Sequence, residues 1–211
     1  MRPAFTLSEL ENDALIEIFN IGVGHAAASM SAIVNEAVRM SVPSISFIPR
    51  VEAARLLGAG DSGPERICGV SQHYAGAFET EAILMFPEDK SLEIVRLMVG
   101  ETVPLKELTE MEQEAMCEIG NIMLNSCVGT LANIFQRELQ GSLPQYHVGT
   151  SDEILSTTGS QADTVVLMLH IDFVLEKHQI HGYVAFVLAI AALHDLKDQI
   201  NLYIARAMGQ G

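Results

Sequence analysis

Two carboxylate–carboxamide pairs stand out in this chain, Glu17 with Asn20 and Glu118 with Asn121. In each pair the residues are three apart, which on an α-helix sets them side by side, one turn apart. Asp13 and Glu114 stand four residues before each glutamate and extend the same polar stripe. Leu15, Ile18, Phe19 and Gly22 point the other way in the first copy, as do Met116, Ile119, Gly120 and Met123 in the second. A carboxylate only accepts hydrogen bonds and attracts cations, whereas a carboxamide donates and accepts without carrying charge. Such a pair can hold and orient a polar group. No nucleophile–base pair and no glycine-rich phosphate loop accompanies it, so a stand-alone small-molecule enzyme has nothing behind it. One copy alone would read as an ordinary solvated helix face.

The second copy changes that reading. Sliding the sequence against itself by 101 positions aligns Glu9–Pro43 with Glu110–Pro144, with ten identities in 35 residues and no gap. Glu17/Glu118, Asn20/Asn121 and Pro43/Pro144 are among them. Asparagine costs a helix interior about 0.6 kcal/mol relative to alanine, yet it recurs at one place. Gly22, Gly24 and Gly120 flank it, and a helix-interior glycine costs about 1 kcal/mol. Such residues are tolerated where another backbone or a partner approaches closely.

The elements that position these residues follow from local signals. Ser8-x-x-Glu11 and Thr109-x-x-Glu112 read as capping boxes, each opening a long helix, over residues 9–37 and 110–139. Pro43 and Pro144 disfavour helix at the residue before them, so extended segments are expected through 41–48 and 142–148. Strands are expected at 67–73 and 78–86 with a turn at Ala75-Gly76, then a helix at 90–99. Strands at 164–174 and 180–189, joined by the polar turn Glu176–Gln179, lead into a last helix at 191–208. Residues 149–163 read as loop. No Pro/Gly/Ser linker divides the chain, so the expectation is one α/β (α+β) domain over 1–211. Its two pseudo-symmetric halves, about 8–100 and 109–208, would share one mainly antiparallel sheet flanked by long helices.

Composition narrows the partners. The 211 residues carry 27 acidic and 12 basic side chains, a formal charge of −15, and nearly half are apolar. A chain this apolar is not disordered as a whole. The acidity argues against nucleic acid and anionic membrane and suits a basic region on a partner protein. Cys68, Cys117 and Cys127 form no CxxC pair and fit reduced thiols. The longest apolar run, Tyr183 to Leu193, falls well short of the roughly 20 residues a bilayer needs. No leader is visible at the N-terminus, so a cytoplasmic location is expected.

Asp13-x3-Glu17-x2-Asn20-x22-Pro43 and Glu114-x3-Glu118-x2-Asn121-x22-Pro144 resemble the signature of the CheC/CheX/FliY family of chemotaxis phosphatases. Two motifs about 100 residues apart resemble the CheC layout in particular; CheX keeps one active motif and dimerises, and FliY carries an added switch domain. The family's first motif position is Asp or Ser. Here Asp13 keeps it, while Glu114 preserves the charge on a longer arm.

The resemblance implies hydrolysis of the phosphoaspartate of a CheY-type response regulator. Asn20 and Asn121 would position the attacking water, and Glu17 and Glu118 would dock to the regulator's active-site lysine. No cofactor is expected in this chain; Mg²⁺ would sit on the regulator. A CheD-type receptor deamidase is a second possible partner, in a non-catalytic binding-module reading. Two internal copies make a monomer the easier state.

Lesser candidates weigh less. His178-x-x-His181 has a spacing found in some metal sites, but no third ligand is in sight and no metal is expected. Cys117 adjoins Glu118 without a partner base and reads as a buried or half-buried thiol. Methionines 30, 40, 85, 98, 116, 123 and 168 sit among apolar residues and read as core filler.

Overall fold

A computed structural model describes residues 5–34, 37–60, 63–64, 66–76, 78–99, 105–156, 164–175 and 178–209. The first repeat helix, α1 (Glu9–Val34), starts on its capping box. Ser8 N–H donates to Glu11 Oε2 at 2.7 Å, and Glu11 N–H donates back to Ser8 Oγ at 3.3 Å. Glu11 is buried, and burial alone would raise its carboxyl. The Ser8 amide and hydroxyl, the Asn201 amide and the Lys197 ammonium outweigh that and hold it below the usual carboxylate range.

From α1 the chain runs through β1 (Val38–Pro49), the short helix α2 (Arg50–Leu57) and a small hairpin of β2 (Ala59–Gly60) and β3 (Gly63–Pro64). It continues into β4 (Arg66–Gly76), β5 (Thr80–Pro87) and α3 (Glu88–Val99). The second half follows a similar course, with two short strands in place of β1: α4 (Leu105–Phe135), β6 (Leu139–Gly141), β7 (Gln145–Thr150), α5 (Ser151–Ser156), β8 (Thr164–Leu175), β9 (His178–Ala189) and α6 (Ile190–Ala207).

Several expectations need correction. The helix expected at 110–139 spans 105–135, so Thr109 lies inside it and not at its N-terminus. Glu112 is instead spent on tertiary bonds, accepting from Ser91 Oγ of α3 and from the Tyr146 hydroxyl at 2.9 Å. The first helix is described over Glu9–Val34, residues 35–36 lie outside the described residues, and Ala37, its expected last residue, is not helical. Two helices were not foreseen. α2 follows Pro49, and α5 opens on a true capping box, Thr150-x-x-Glu153, with Thr150 N–H on Glu153 Oε2 at 2.8 Å. They begin at 50 and 151, again 101 apart, so the repeat continues where sequence identity has faded. Glu176 and Lys177 of the expected turn, and residues 157–163, lie outside the described residues.

The main sheet has seven strands in the order β1-β8-β9-β5-β4-β6, with β7 also on β4, every pair antiparallel. The α/β class and the mainly antiparallel sheet agree with expectation. Strands cross between the repeats: β1 pairs with β8, and its counterpart β7 pairs with β4. Along the central strands alternate side chains serve two layers. Leu84, Phe86, Leu167, Leu169, Val184 and Phe186 join the main core with α1 and α4. Ile83, Met85, Val166, Met168, Ala185 and Val187 meet α2 and α5 on the other face.

The glycines near the motifs divide. A Cβ on Gly22 would come within 3.0 Å of Cys127 Cα, so α1 crosses α4 here almost backbone to backbone. A Cβ on Gly120 would collide with Val70 of β4. Gly24 has nothing within 4 Å of that position, and close approach does not account for it. Gly76, at the expected turn, has φ +146° and lies against the Glu138 carbonyl, where a side chain would be both strained and obstructed.

Candidate functional site

Each motif occupies one helix and the loop or strand that follows it. On α1, Asp13 and Glu17 are exposed and Asn20 is half-buried; on α4, Glu114 and Glu118 are exposed and Asn121 is half-buried. The structure brings each expected glutamate and asparagine to the same helix face, with the proline of its own repeat nearby. Among the described residues, none of the four carboxylates makes a hydrogen bond or ion pair. They face solvent free to meet a cation.

The two asparagines are held differently. Asn20 Oδ1 accepts the Val42 N–H at 2.8 Å, and Asn20 Nδ2 stands 3.4 Å from the Val42 carbonyl. This is where β1 bulges, between Ser41 and Ser44, and Val42 loses its ladder partner. The carboxamide replaces that partner, and Pro43 follows directly. The fixed spacing from Asn20 to Pro43 is therefore a structural clip. Val42 is buried at 1% exposure, whereas its repeat counterpart Leu143 is 85% exposed.

Asn121 clips no backbone. Its Oδ1 accepts from Asn125 Nδ2 at 2.7 Å and from Gln72 Nε2 at 3.3 Å. Gln72 also donates to the Ser142 carbonyl at 2.9 Å, and the Tyr74 hydroxyl lies 3.0 Å from Asn125 Oδ1. Both lone pairs of Asn121 Oδ1 are thus used, and this network orients the amide. Its Nδ2 has no partner among the described residues. A groove of about 670 Å³ passes it, lined by Glu114, Glu118, Asn121 and Pro144, with Ile33 and Leu143 as apolar wall. With its oxygen so occupied, the Asn121 carboxamide presents its Nδ2 donor to the groove.

Gln72 and Asn125 were not foreseen as site residues. Asn125 lies four residues after Asn121 on the same helix face, a signal present in the sequence. Gln72 reaches the site from β4, 49 residues away, and no spacing announces it.

Cys117 also lines the groove, and burial pushes its thiol up, away from nucleophilic character. Cys68 and Cys127 are buried and pushed up to about 12 by that burial. The side chain of His178 lies outside the described residues. His181 Nδ1 sits 2.8 Å from Asp172 Oδ1, on a different part of the sheet. Among the described residues, no helix is long and apolar enough to cross a membrane.

No protein-family model matches the chain. The flagellar motor switch phosphatase FliY of Bacillus subtilis is 28% identical over 141 residues, 66% of this chain and 36% of that protein. The chain thus matches only about a third of that relative's length. The CheY-P phosphatase CheC of B. subtilis is 24% identical over 153 residues, 71% of this chain and 72% of that one. Among solved structures, Thermotoga maritima FliY superposes with a TM-score of 0.74 at 19% identity, covering 94% of this chain and all of that one. CheX in a CheX–CheY–BeF3–Mg²⁺ complex from Borrelia burgdorferi gives 0.50 at 16% identity, covering 82% and 97%. FliM in a FliG–FliM complex from H. pylori gives 0.60 at 12% identity, covering 89% and 98%.

Proposed function

From a chain that resembles the CheC, CheX and FliY chemotaxis phosphatases, we propose a phosphatase acting on the phosphoaspartate of a CheY-type response regulator. The observation that carries this reading is the groove beside α4, where Glu118 and Asn121 stand together and the Asn121 amide donor is free and aimed by its neighbours. Similarity to CheC, a CheY-P phosphatase, to FliY, a flagellar motor switch phosphatase, and to the CheX–CheY complex supports the substrate class.

Phosphoryl transfer is catalysed mainly by positioning and electrostatics, which asks little covalent chemistry of this chain. In the proposed step Glu118 pairs with a lysine of the regulator and brings α4 against its phosphorylated site. Asn121 Nδ2 donates to the incoming water oxygen, leaving the water's second lone pair for phosphorus. Water attacks as the aspartyl oxygen leaves, giving a free carboxylate and inorganic phosphate, with the water's proton passing to phosphate. The amide is neutral and does not repel the incoming anion. Mg²⁺ belongs to the regulator in this reading. Leu143 and Ile33 supply apolar contact around the charged centre.

The second site is expected to be the stronger one, because the Asn20 carboxamide is engaged on Val42. The test is the lifetime of a phosphorylated CheY-type regulator with wild type, Asn20→Ala, Asn121→Ala and the double variant. Wild type is expected to shorten the lifetime. Asn121→Ala should lose most of that effect, about 100-fold at its own site, and the double variant all of it. An unchanged lifetime with wild type, while the regulator still binds, would sink the phosphatase reading.

One observation favours a second reading. A motif whose asparagine is committed to the backbone can persist as a docking face without hydrolysis. The chain would then be a binding module for the phosphorylated regulator or a CheD-type deamidase, and the same experiment separates the two.

A further inference from the structure

A second cluster of chemistry-bearing side chains lies on the sheet face turned away from α1 and α4. In β8, Leu167, Leu169, Ile171 and Phe173 enter the main core, so His170 and Asp172 between them face the opposite way. β9 sets His181 directly opposite Asp172 and Tyr183 opposite His170. On this face Val166, Met168, Ala185 and Val187 pack in the cluster with α2 and α5. The histidines and the aspartate lie further along the same two strands.

We propose that His170, Asp172 and His181 form a site for a divalent transition-metal ion of the Zn²⁺ type. One ligand atom from each residue falls within 4.8 Å of the others. Two imidazole nitrogens and a carboxylate oxygen are a donor set Zn²⁺ takes, at about 2.0–2.2 Å each. Ligand atoms around a tetrahedral ion then stand about 3.3 Å apart. Closing to that distance is a matter of side-chain rotation, because continuous register from Thr164 to Leu175 fixes the two strands. Ca²⁺ and Mg²⁺ prefer all-oxygen shells and fit poorly here.

The Asp172–His181 hydrogen bond by itself would explain those two residues. It does not explain His170. That ring stacks on Tyr183 at 5.2 Å and 19°, lies 5.6 Å from the His181 ring, and makes no hydrogen bond among the described residues. Stacking holds the imidazole beside the pair, as a third ligand must be held. His181 and Asp172 are 54% and 27% exposed, so an ion enters without opening the core. Three protein ligands leave a fourth position for water or a donor from a bound molecule.

The test is a calorimetric Zn²⁺ titration of the tag-free, chelator-treated chain, with wild type, His181→Ala, Asp172→Asn and His194→Ala. His194 lies on α6 with its Nδ1 on the Ile190 carbonyl and serves as the control. One ion per chain is expected. The dissociation constant should rise about 10-fold or more in His181→Ala and Asp172→Asn and stay unchanged in His194→Ala. Zn²⁺ should raise the Tm of wild type but not of those two variants. The Co²⁺ form should lack a thiolate charge-transfer band, which separates this site from Cys117. Circular dichroism without metal checks that all variants fold alike. Absence of saturable binding at micromolar Zn²⁺, or equal affinity in wild type and both ligand variants, overturns the site.

Discussion

Asn20 and Asn121 share a residue type, a helix position and a distance to proline, yet their oxygens accept from different donors. At Asn20 the donor is a backbone amide stranded by a bulge. Leaving such a buried donor unmet costs about 1–3 kcal/mol. Asn20→Ala is therefore expected to lower stability by that amount in urea denaturation, while Asn121→Ala should cost less, because Asn125 is exposed and the buried Gln72 amide keeps its bond to the Ser142 carbonyl. Equal losses would contradict the assignment of Asn20 as a clip. The pairing of Glu and Asn was legible in the sequence because the repeat displayed it twice. The division of labour was not, since it depends on whether a β-bulge or a glutamine on β4 reaches the amide, and both are tertiary facts.

Among the elements, the long helices and main strands were legible because each is long enough to show its period. α2 and α5, with eight and six residues, are too short for periodicity, and only the Thr150-x-x-Glu153 box announced one of them. The apparent box at Thr109 misled because Glu112 is engaged by Ser91 and Tyr146. The glycines give a sharp test of helix packing. Gly120→Ala drives a methyl into Val70 and is expected to cost about 1–3 kcal/mol. Gly24→Ala meets open space inside a helix and should stabilise by up to about 1 kcal/mol. Thermal denaturation of the two variants checks both; a loss at Gly24 would mean that the position serves something other than helix packing.

For the whole molecule, the governing feature is that the repeats exchange strands. β1 completes the sheet beside β8, and β7 does the same beside β4. Neither repeat can then bury its own apolar faces, and residues 1–100 and 101–211 expressed separately are expected to lack a cooperative unfolding transition. Co-expressed, they should co-purify and regain it, as circular dichroism would show. Two independently folding pieces would contradict this. The repeat was visible in the sequence, but the exchange was not, because alternation marks which residues face inward and is silent on which strand lies alongside. The pattern also carries a lesson about ancestry. A half-length forebear with this pairing could finish its sheet only by lending its first strand to a sister subunit, as an interlocked homodimer bearing two equal sites. In one continuous chain that equality is no longer imposed, and the two copies here do differ, with only the Asn20 carboxamide set on a backbone amide.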